Sequence, residues 1–116
     1  MFTLKGVGLV VTGMVFSGAV RTGESMTLST DGSQVRVRGI RAHNTASNVA
    51  KAGERCAINI AGRSLNEEVL RRGNWLMHPS LYAPTRRIDV EVQVLASETG
   101  PLKHWTPTHL HIGADH

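Results

Sequence analysis

Residues 5–13 read KGVGLVVTG, a lysine and three glycines around a short apolar run. Glycine and lysine so close together raise the question of a phosphate-binding loop. A dinucleotide-binding fingerprint needs G-x-G-x-x-G, and Gly13 comes two positions too late for it. A P-loop needs Gly-Lys followed by Ser or Thr, and this triplet does not occur in the chain. The valine-rich residues that follow, interrupted by glycines, favour a bent β-strand over the start of a helix.

Strand-like segments continue along the chain, separated by glycine-containing turns every eight to twelve residues or so. The Asp-Gly pair at 31–32 is a strong turn signal because glycine adopts positive φ without strain. In QVRVRGIRA, residues 34–42, Val35 and Val37 alternate with arginines and therefore share one face. The pattern predicts an all-β fold, a small antiparallel barrel or sandwich.

Three further segments complete this first unit. The polar stretch HNTASNVAKAG, residues 43–53, is predicted to be a loop, and ERCAINIAG, residues 54–62, another strand. LNEEVLRRGNW, residues 65–75, is the only helix-like piece and is interrupted by a glycine. The unit is then expected to close with WLMH.

The composition changes after residue 78. PSLYAPT, residues 79–85, carries two prolines and is predicted to be a linker. RRIDVEVQVL, residues 86–95, follows as the cleanest strand pattern in the chain. Two strands cannot form an independent domain, so we expect the tail either to extend the first barrel or to begin a second, incomplete one.

Composition and charge limit the functions that this chain can have. A chain of 116 residues with 41% hydrophobic residues can bury one modest core and is not disordered in composition. Thirteen basic residues, ten of them arginine, outweigh nine acidic ones. Because the arginine fork suits phosphate, an anionic partner, first of all nucleic acid, is expected. A solvated basic surface that binds nothing in particular remains the alternative.

The single cysteine, Cys56, excludes an internal disulfide and favours a reducing cytoplasm. It lies in the strand-like run RCAINI, where a buried, inert thiol is expected. No apolar run has the length of a membrane span, and the N-terminal residues lack a signal-peptide pattern. No membrane partner is therefore expected.

Four histidines near the end of the chain have the spacing H-x4-H-x-H-x4-H; they are His104, His109, His111 and His116. On a strand, the middle two would share a face about 6–7 Å apart. No accompanying pattern matches a structural zinc site, so packing or surface histidines are expected and a metal site is not.

The acidic residues do not form a catalytic set. Glu67 and Glu68 are adjacent and diverge on a helical turn, while Asp89 and Glu91 share a strand face that arginines balance. No serine, histidine and acid arrangement stands out, so the chain is not expected to be an enzyme.

The arginines form two groups. Arg36, Arg38 and Arg41 make a basic stripe along one strand, a form that can follow a phosphate backbone or simply face solvent. Arg55 begins a strand directly after Gly53, where a ligand or another backbone is expected to approach closely. Aromatic residues are only 4% of the chain, which does not support a platform for base stacking.

Several segments, taken together, resemble the second domain of translational GTPases such as elongation factor Tu. In order along the chain they are G-x-G-x-V-V-T-G (6–13), SGAVRTGES (17–25), VRVRGIRAHN (35–44), KAGERCAINIAG (51–62) and EEVLRRGNWL (67–76). AHN, AGERCAINIAG, RRGNWL and the tail PLKHWTPTHLHIGADH are more specifically similar to the selenocysteine-specific branch of that family, SelB.

The resemblance implies a β-barrel over residues 1–78, a linker over 79–87, and the truncated start of a second barrel over 88–116. The parent would be a cytoplasmic GTPase that carries selenocysteyl-tRNA to the ribosome at a recoded UGA codon. GTP and Mg²⁺ would be held by a GTPase domain that precedes residue 1, so this fragment itself would bind no cofactor. Its partners would be selenocysteyl-tRNA, ribosomal RNA of the small subunit and the parent's own GTPase domain.

The resemblance also implies a pocket for the aminoacyl end of the tRNA. A selenol is ionised at neutral pH whereas serine is neutral, so a cationic pocket would favour the selenocysteyl group. Arg55 occupies the position of the family's pocket arginine. His43 is a second candidate, and Arg41 stands where some relatives carry the histidine. Arg36, Arg38 and Lys5 are the candidates for RNA contact.

Two other functions remain open: the equivalent barrel of another translational GTPase, and a structural or metal-binding barrel that uses the C-terminal histidines. Residues 86–116 would leave an unpaired apolar edge, so a homodimer or a domain swap through this tail is also expected.

Overall fold

The computed structural model describes residues 2–4, 8–63, 65, 70–98 and 100–113, with side chains from residue 8 onward. Nine strands and one short 3₁₀ helix, Pro79–Leu81, lie within these ranges, and no α-helix does. The strands are β1 (Phe2–Leu4), β2 (Gly8–Met14), β3 (Ala19–Arg21), β4 (Ser25–Leu28), β5 (Gln34–Ala42), β6 (Thr45–Ser47), β7 (Val49–Lys51), β8 (Arg55–Ala61) and β9 (Leu76–Met77). The predicted all-β architecture is therefore confirmed.

All strand pairs are antiparallel. The larger sheet has the order β1-β2-β8-β5-β4-β9, with β6 paired to the far end of β5. A second, two-stranded sheet pairs β3 with β7. Strands β5 and β8 occupy the middle of the larger sheet, so they determine where most outward-facing side chains lie.

The core forms from alternate residues of these strands. In β8, Cys56, Ile58 and Ile60 point inward and the intervening residues outward. Leu28, Val37 and Ile60 are at most 1% exposed, and burial of such side chains stabilises the fold by about 1.5–3 kcal/mol each. The described core residues are Leu9, Val20, Leu28, Val35, Val37, Ile40, Ala42, Ala50, Cys56, Ile58, Ile60 and Leu70.

Strand β5 contains a β-bulge. Its pairing with β8 shifts between Val37 and Gly39, which leaves Arg38 as the extra residue. Before the bulge, Val35 and Val37 face the core as the alternation predicts; after it, Ile40 and Ala42 do. The bulge therefore lets one strand keep its apolar residues inside along its whole length.

The glycine-rich stretch that opens the chain is barrel structure. Gly8 has φ +96°, and a Cβ there would lie 2.9 Å from Oδ1 of Asn59 on the neighbouring strand. The neighbouring strand therefore comes close to the backbone at Gly8. Gly13 has open space around its Cα, so nothing in the described residues requires glycine there.

Two sequence predictions are wrong in part. The supposed loop over residues 43–53 contains β6 and β7. His43 and Asn44 have φ of 51° and 62°, the geometry of a tight two-residue hairpin turn, which returns the chain along β5. The pairing of β7 with β3 is then a long-range contact that local polarity does not reveal.

The predicted strand over residues 86–95 is not formed. Its residues are described, yet none belongs to a strand, and Ile88, Val90, Val92 and Val94 are exposed. A β-strand needs a neighbour to satisfy its backbone hydrogen bonds, and none of the described strands pairs with this segment.

Residues 66–69 of the predicted helix-like piece lie outside the described residues, as do Lys5 and His116. Among the described residues of this piece, Leu65 and Leu70 pack at the core and residues 72–73 form a turn. The predicted domain boundaries stay predictions.

Candidate functional site

Strand pairing brings the three predicted pocket residues to one end of the barrel. Strand β5 ends where β8 begins, with Ala42 opposite Cys56 and Arg41 opposite Ala57. His43 directly follows β5, and Arg55 is the first residue of β8. Arg41 and His43, two residues apart in the sequence, therefore share one edge with Arg55 of the neighbouring strand, and we call this edge the pocket end.

The His43–Asn44 turn places the imidazole of His43 against a carboxylate. Nε2 of His43 lies 3.5 Å from Oε1 of Glu54. The His43 side chain is 74% exposed and that of Glu54 is 31% exposed, so the pair lies at the surface of the pocket end. Sequence analysis did not identify Glu54 as a site residue, although its position directly before Arg55 was a signal.

Glu54 is anchored by its own turn. Its Oε2 accepts a hydrogen bond of 2.7 Å from the backbone N–H of Lys51, and its N–H donates to the carbonyl of Lys51. The Lys51 N–H is the main cause that lowers the pKa of Glu54, and His43 lowers it further. The carboxylate is therefore ionised at neutral pH and held in place by the backbone.

Arg41 and Arg55 differ in how they are held. Nη2 of Arg41 donates a 2.8 Å hydrogen bond to the carbonyl of Asn44, which ties this guanidinium to the hairpin turn. Arg55 is exposed, and no hydrogen bond or ion pair joins its side chain to any other residue that the structure describes. Arg55 is thus the more available cation at the pocket end.

Gly53 has a conformational role, and the predicted approach of a ligand there stays a prediction. A Cβ at this position would meet no atom within 4 Å, so nothing among the described residues approaches it closely. Its φ is +86°, a conformation that side chains rarely adopt. The glycine permits the turn that presents Glu54 and Arg55, and the N–H of Gly53 fixes that turn to the carbonyl of Val15.

The RNA-contact candidates lie elsewhere. Arg36 and Arg38 project from the outer face of β5, near the end where that strand begins. The predicted stripe of Arg36, Arg38 and Arg41 is outward-facing throughout, but the bulge interrupts its regular spacing. Lys5 lies outside the described residues.

Cys56 is buried at the pocket end, as predicted. Its burial raises the pKa of the thiol, and the charge of Glu54 raises it further. A thiol whose anion is disfavoured is a poor nucleophile and a poor metal ligand.

The C-terminal histidines do not assemble a metal site within the part of the chain that is described. No group of three or more His, Cys, Asp or Glu residues there is placed to hold a metal ion. His104 instead packs edge-on against Trp105, with ring centroids 4.9 Å apart. Also within the described ranges, no helix has the length and apolar character needed to cross a membrane.

The fold and the order of its strands define the second-domain barrel of translation factors. A sequence model of the family described as elongation factor Tu domain 2 matches residues 8–77, more than half of the chain. The chain belongs to this family.

Its similarity to selenocysteine-specific elongation factors covers nearly the whole chain. It is 46% identical to the one from Desulfomicrobium baculatum over 114 residues, which are 98% of this chain and 18% of that protein. It is 42% identical to the one from Escherichia coli K12 over 115 residues, 99% of this chain and 18% of that protein. The chain therefore spans about a fifth of the length of these relatives.

Solved structures give the same result. The fold matches translation elongation factor SelB from Methanococcus maripaludis in its apo form, with a TM-score of 0.61 and 31% identity over 66% of this chain and 16% of that chain. It also matches a bacterial selenocysteine-specific elongation factor, EF-Sec, with a TM-score of 0.60 and 32% identity over 67% of this chain and 13% of that chain. The predicted barrel type and the resemblance are both confirmed.

Proposed function

We propose that this chain is a non-catalytic module of a selenocysteine-specific elongation factor that acts in the cytoplasm during UGA recoding. In this role it helps to bind the aminoacyl end of selenocysteyl-tRNA and contacts RNA of the small ribosomal subunit. GTP and Mg²⁺ would be bound by a separate GTPase domain of the same protein, against which this barrel would pack. The similarity to such factors over nearly the whole chain supports the proposal.

The observation that carries the pocket assignment is the convergence of Arg41, His43 and Arg55 on one end of the barrel. The exposed guanidinium of Arg55 is free to meet an anion arriving from outside. A selenolate beside it, screened from bulk water by the bound tRNA, would form a stronger interaction than the neutral hydroxyl of a seryl group.

The carboxylate of Glu54 places a negative charge at the pocket end, beside the proposed selenolate site. This carboxylate repels a selenolate, but the Lys51 N–H and the His43 imidazole already engage it. His43 therefore contributes by engaging the Glu54 carboxylate, and Arg55 by contacting the selenolate.

The test is Arg55→Ala in the full-length factor, with the affinities for selenocysteyl-tRNA and seryl-tRNA measured side by side. We expect the preference for selenocysteyl-tRNA to fall by about tenfold or more, the loss expected of a charge-assisted contact. Arg55→Lys should retain part of the preference because the charge remains. Arg87→Ala, an equal change of charge on the exposed tail, is the control.

An unchanged ratio of the two affinities in Arg55→Ala would rule out the pocket assignment. The same result is expected if the chain is the equivalent barrel of another translational GTPase, a second candidate that the match to the elongation factor Tu domain 2 family itself supports.

A further inference from the structure

Arg36 lies between two open grooves on the outer surface of the barrel. The first has a volume of about 420 Å³ and a wall that includes Ser25, Ser33, Arg36 and Arg63. The second, of about 450 Å³, is lined by Thr22, Gly23, Arg36, Val37 and Arg38. One guanidinium is thus shared by two neighbouring concave surfaces, and each groove holds one further arginine.

The position of Arg63 depends on a tight backbone contact. Strand β8 ends at Ala61, opposite Arg36, and Gly62 follows. A Cβ on Gly62 would lie 3.0 Å from the carbonyl oxygen of Gln34 and 3.2 Å from Cγ1 of Val35. A side chain at position 62 would require the start of β5 to shift by a few tenths of an ångström. Gly62 therefore brings Arg63 beside Arg36.

The three guanidiniums have no acidic partner within the described part of the chain. No hydrogen bond or ion pair there involves the side chain of Arg36, Arg38 or Arg63, whereas Arg21 pairs with Glu24 and Arg41 with the Asn44 carbonyl. Three guanidiniums on adjacent surfaces, without an acidic partner among the described residues, repel one another, and an anionic ligand relieves this repulsion.

The described carboxylates next to groove-lining residues in the sequence, those of Asp31 and Glu24, already have partners. Asp31 accepts hydrogen bonds from the backbone N–H and the hydroxyl of Ser33, which lower its pKa. Glu24 accepts from the N–H of Arg21 and pairs with the Arg21 guanidinium. Neither acidic residue lines a groove, whereas Ser25 and Thr22 do. Ser33 also lines the first groove, but its hydroxyl already donates to Asp31. The grooves therefore contain cations and two hydroxyl-bearing residues, the groups that bind phosphate oxygens.

We propose that Arg36, Arg38 and Arg63 bind successive phosphates of one RNA strand, with Arg36 between the two grooves. We call these three residues the phosphate strip. The proposal rests on the proposed RNA-binding function and adds a second contact surface to it. Arg36 and Arg41 are five residues apart on β5, about 17 Å at the usual strand rise, so the strip is separate from the pocket end. Contacts to phosphates supply affinity without reading the base sequence.

The test uses the purified chain and a fluorescein-labelled oligouridylate of about 12 nucleotides, with binding followed by fluorescence anisotropy. Dissociation constants are measured from about 50 to about 200 mM KCl, and log Kd is plotted against log [KCl]. Each lost phosphate contact should reduce the slope by about 0.7. We expect R36A, R38A and R63A each to do so, and the triple variant to lose about 2 units of slope.

Two further variants sharpen the interpretation. Arg36→Lys keeps the charge but loses the planar fork, so the slope should stay while the affinity falls. Arg87→Ala removes one exposed arginine outside the strip and should leave the slope unchanged. Circular dichroism of each variant checks that the barrel remains folded, and Arg36→Lys provides a readout if an alanine variant does not fold.

The proposal is overturned if the chain does not bind the oligouridylate, if the triple variant keeps the full slope, or if Arg87→Ala loses as much as R36A. Displacement of the RNA by polyglutamate as readily as by unlabelled oligouridylate would also overturn it, because the surface would then select only for negative charge. The Arg55→Ala experiment is independent: an unchanged tRNA preference would exclude the pocket and leave the salt dependence of the strip as measured.

Discussion

At the scale of single residues, the pocket end is organised by one carboxylate. Glu54 holds the turn that contains Gly53, contacts His43 and immediately precedes Arg55. Because Glu54 makes both contacts, a substitution there should change both the conformation of the turn and the charge at the pocket end. Cys56, one residue further on, is buried and takes no part in this network.

Because the pKa of Glu54 is lowered in the folded chain, we expect the stability of the fold to depend on pH. A carboxyl group whose pKa is lower in the folded state stabilises the fold above its unfolded pKa, and this contribution is lost as the pH falls through the folded pKa. Glu54→Gln should therefore destabilise the chain modestly at neutral pH and have little effect in strong acid. Urea unfolding at a series of pH values measures this.

Glu98→Gln is the matched control, since Glu98 is exposed and its side chain makes no hydrogen bond to another described residue. Equal effects of the two substitutions at every pH would contradict the role assigned to the Lys51–Glu54 contact.

The candidate site shows what sequence could predict at this scale. Arg55, His43 and Arg41 were predicted from their place in recognisable segments, and the strand register indeed brings them to one edge. The His43–Glu54 contact could not be predicted, because it depends on the positive φ of His43 and on the pairing of β5 with β8. Arg63 was missed because its neighbour Arg36 comes close only through the backbone contact at Gly62.

At the scale of elements, β8 is the central support of the barrel. It pairs with β2 on one side and β5 on the other, and its inward face supplies Cys56, Ile58 and Ile60 to the core. Ile60 is 0% exposed and lies opposite Val37. The strand therefore joins the two halves of the larger sheet.

Ile60→Ala should consequently destabilise the fold by about 2–5 kcal/mol, because it removes buried apolar surface and leaves a cavity. Equilibrium urea unfolding of the two proteins gives the difference. Ile88→Ala, the same substitution at an exposed position of the tail, should change the free energy of unfolding by no more than about 0.5 kcal/mol. A small loss at Ile60 would show that the core is not organised around β8.

Element predictions succeeded where the deciding information was local. The valine and arginine alternation at the start of β5 specifies which face is buried, and the structure agrees. β6 and β7 were missed because their three-residue segments are polar and short, and only pairing with β5 and β3 makes them strands. The prediction for residues 86–95 was wrong in the opposite sense. The alternation typical of a strand is present, but no described strand pairs with this segment.

At the scale of the whole molecule, the chain is more extended in space than a compact domain with the same number of residues. Its radius of gyration is 17.3 Å and its longest dimension is 55 Å, whereas about 13 Å is expected for a compact chain of this length. The tail carries a row of exposed apolar residues: Ile88, Val90, Val92 and Val94. Such a row has the spacing of one face of a strand.

This row predicts self-association through the tail. A segment with strand alternation and unpaired backbone groups can add to the same segment of a second chain. We expect light scattering to show a mass that rises towards that of a dimer with concentration, and Val90→Asp with Val92→Asp to abolish the rise. A monomeric mass at every concentration, with an ordered tail, would contradict this prediction.

The bulge at Arg38 has a consequence for how this strand tolerates change. Side chains of a strand follow a rule of odd and even positions, and one extra residue reverses that rule halfway along β5. Deletion of Arg38 or Gly39 would remove the extra residue and return the whole strand to one regular alternation of inward and outward side chains. The strand could then pair with β8 without a bulge, and Val35, Val37, Ile40 and Ala42 would still face the core. Deletion of Arg36 or Arg41 would instead place two core residues next to each other in the sequence, so that one of them would have to face solvent. We therefore expect this strand to tolerate the loss of one residue at the bulge better than the loss of one residue elsewhere.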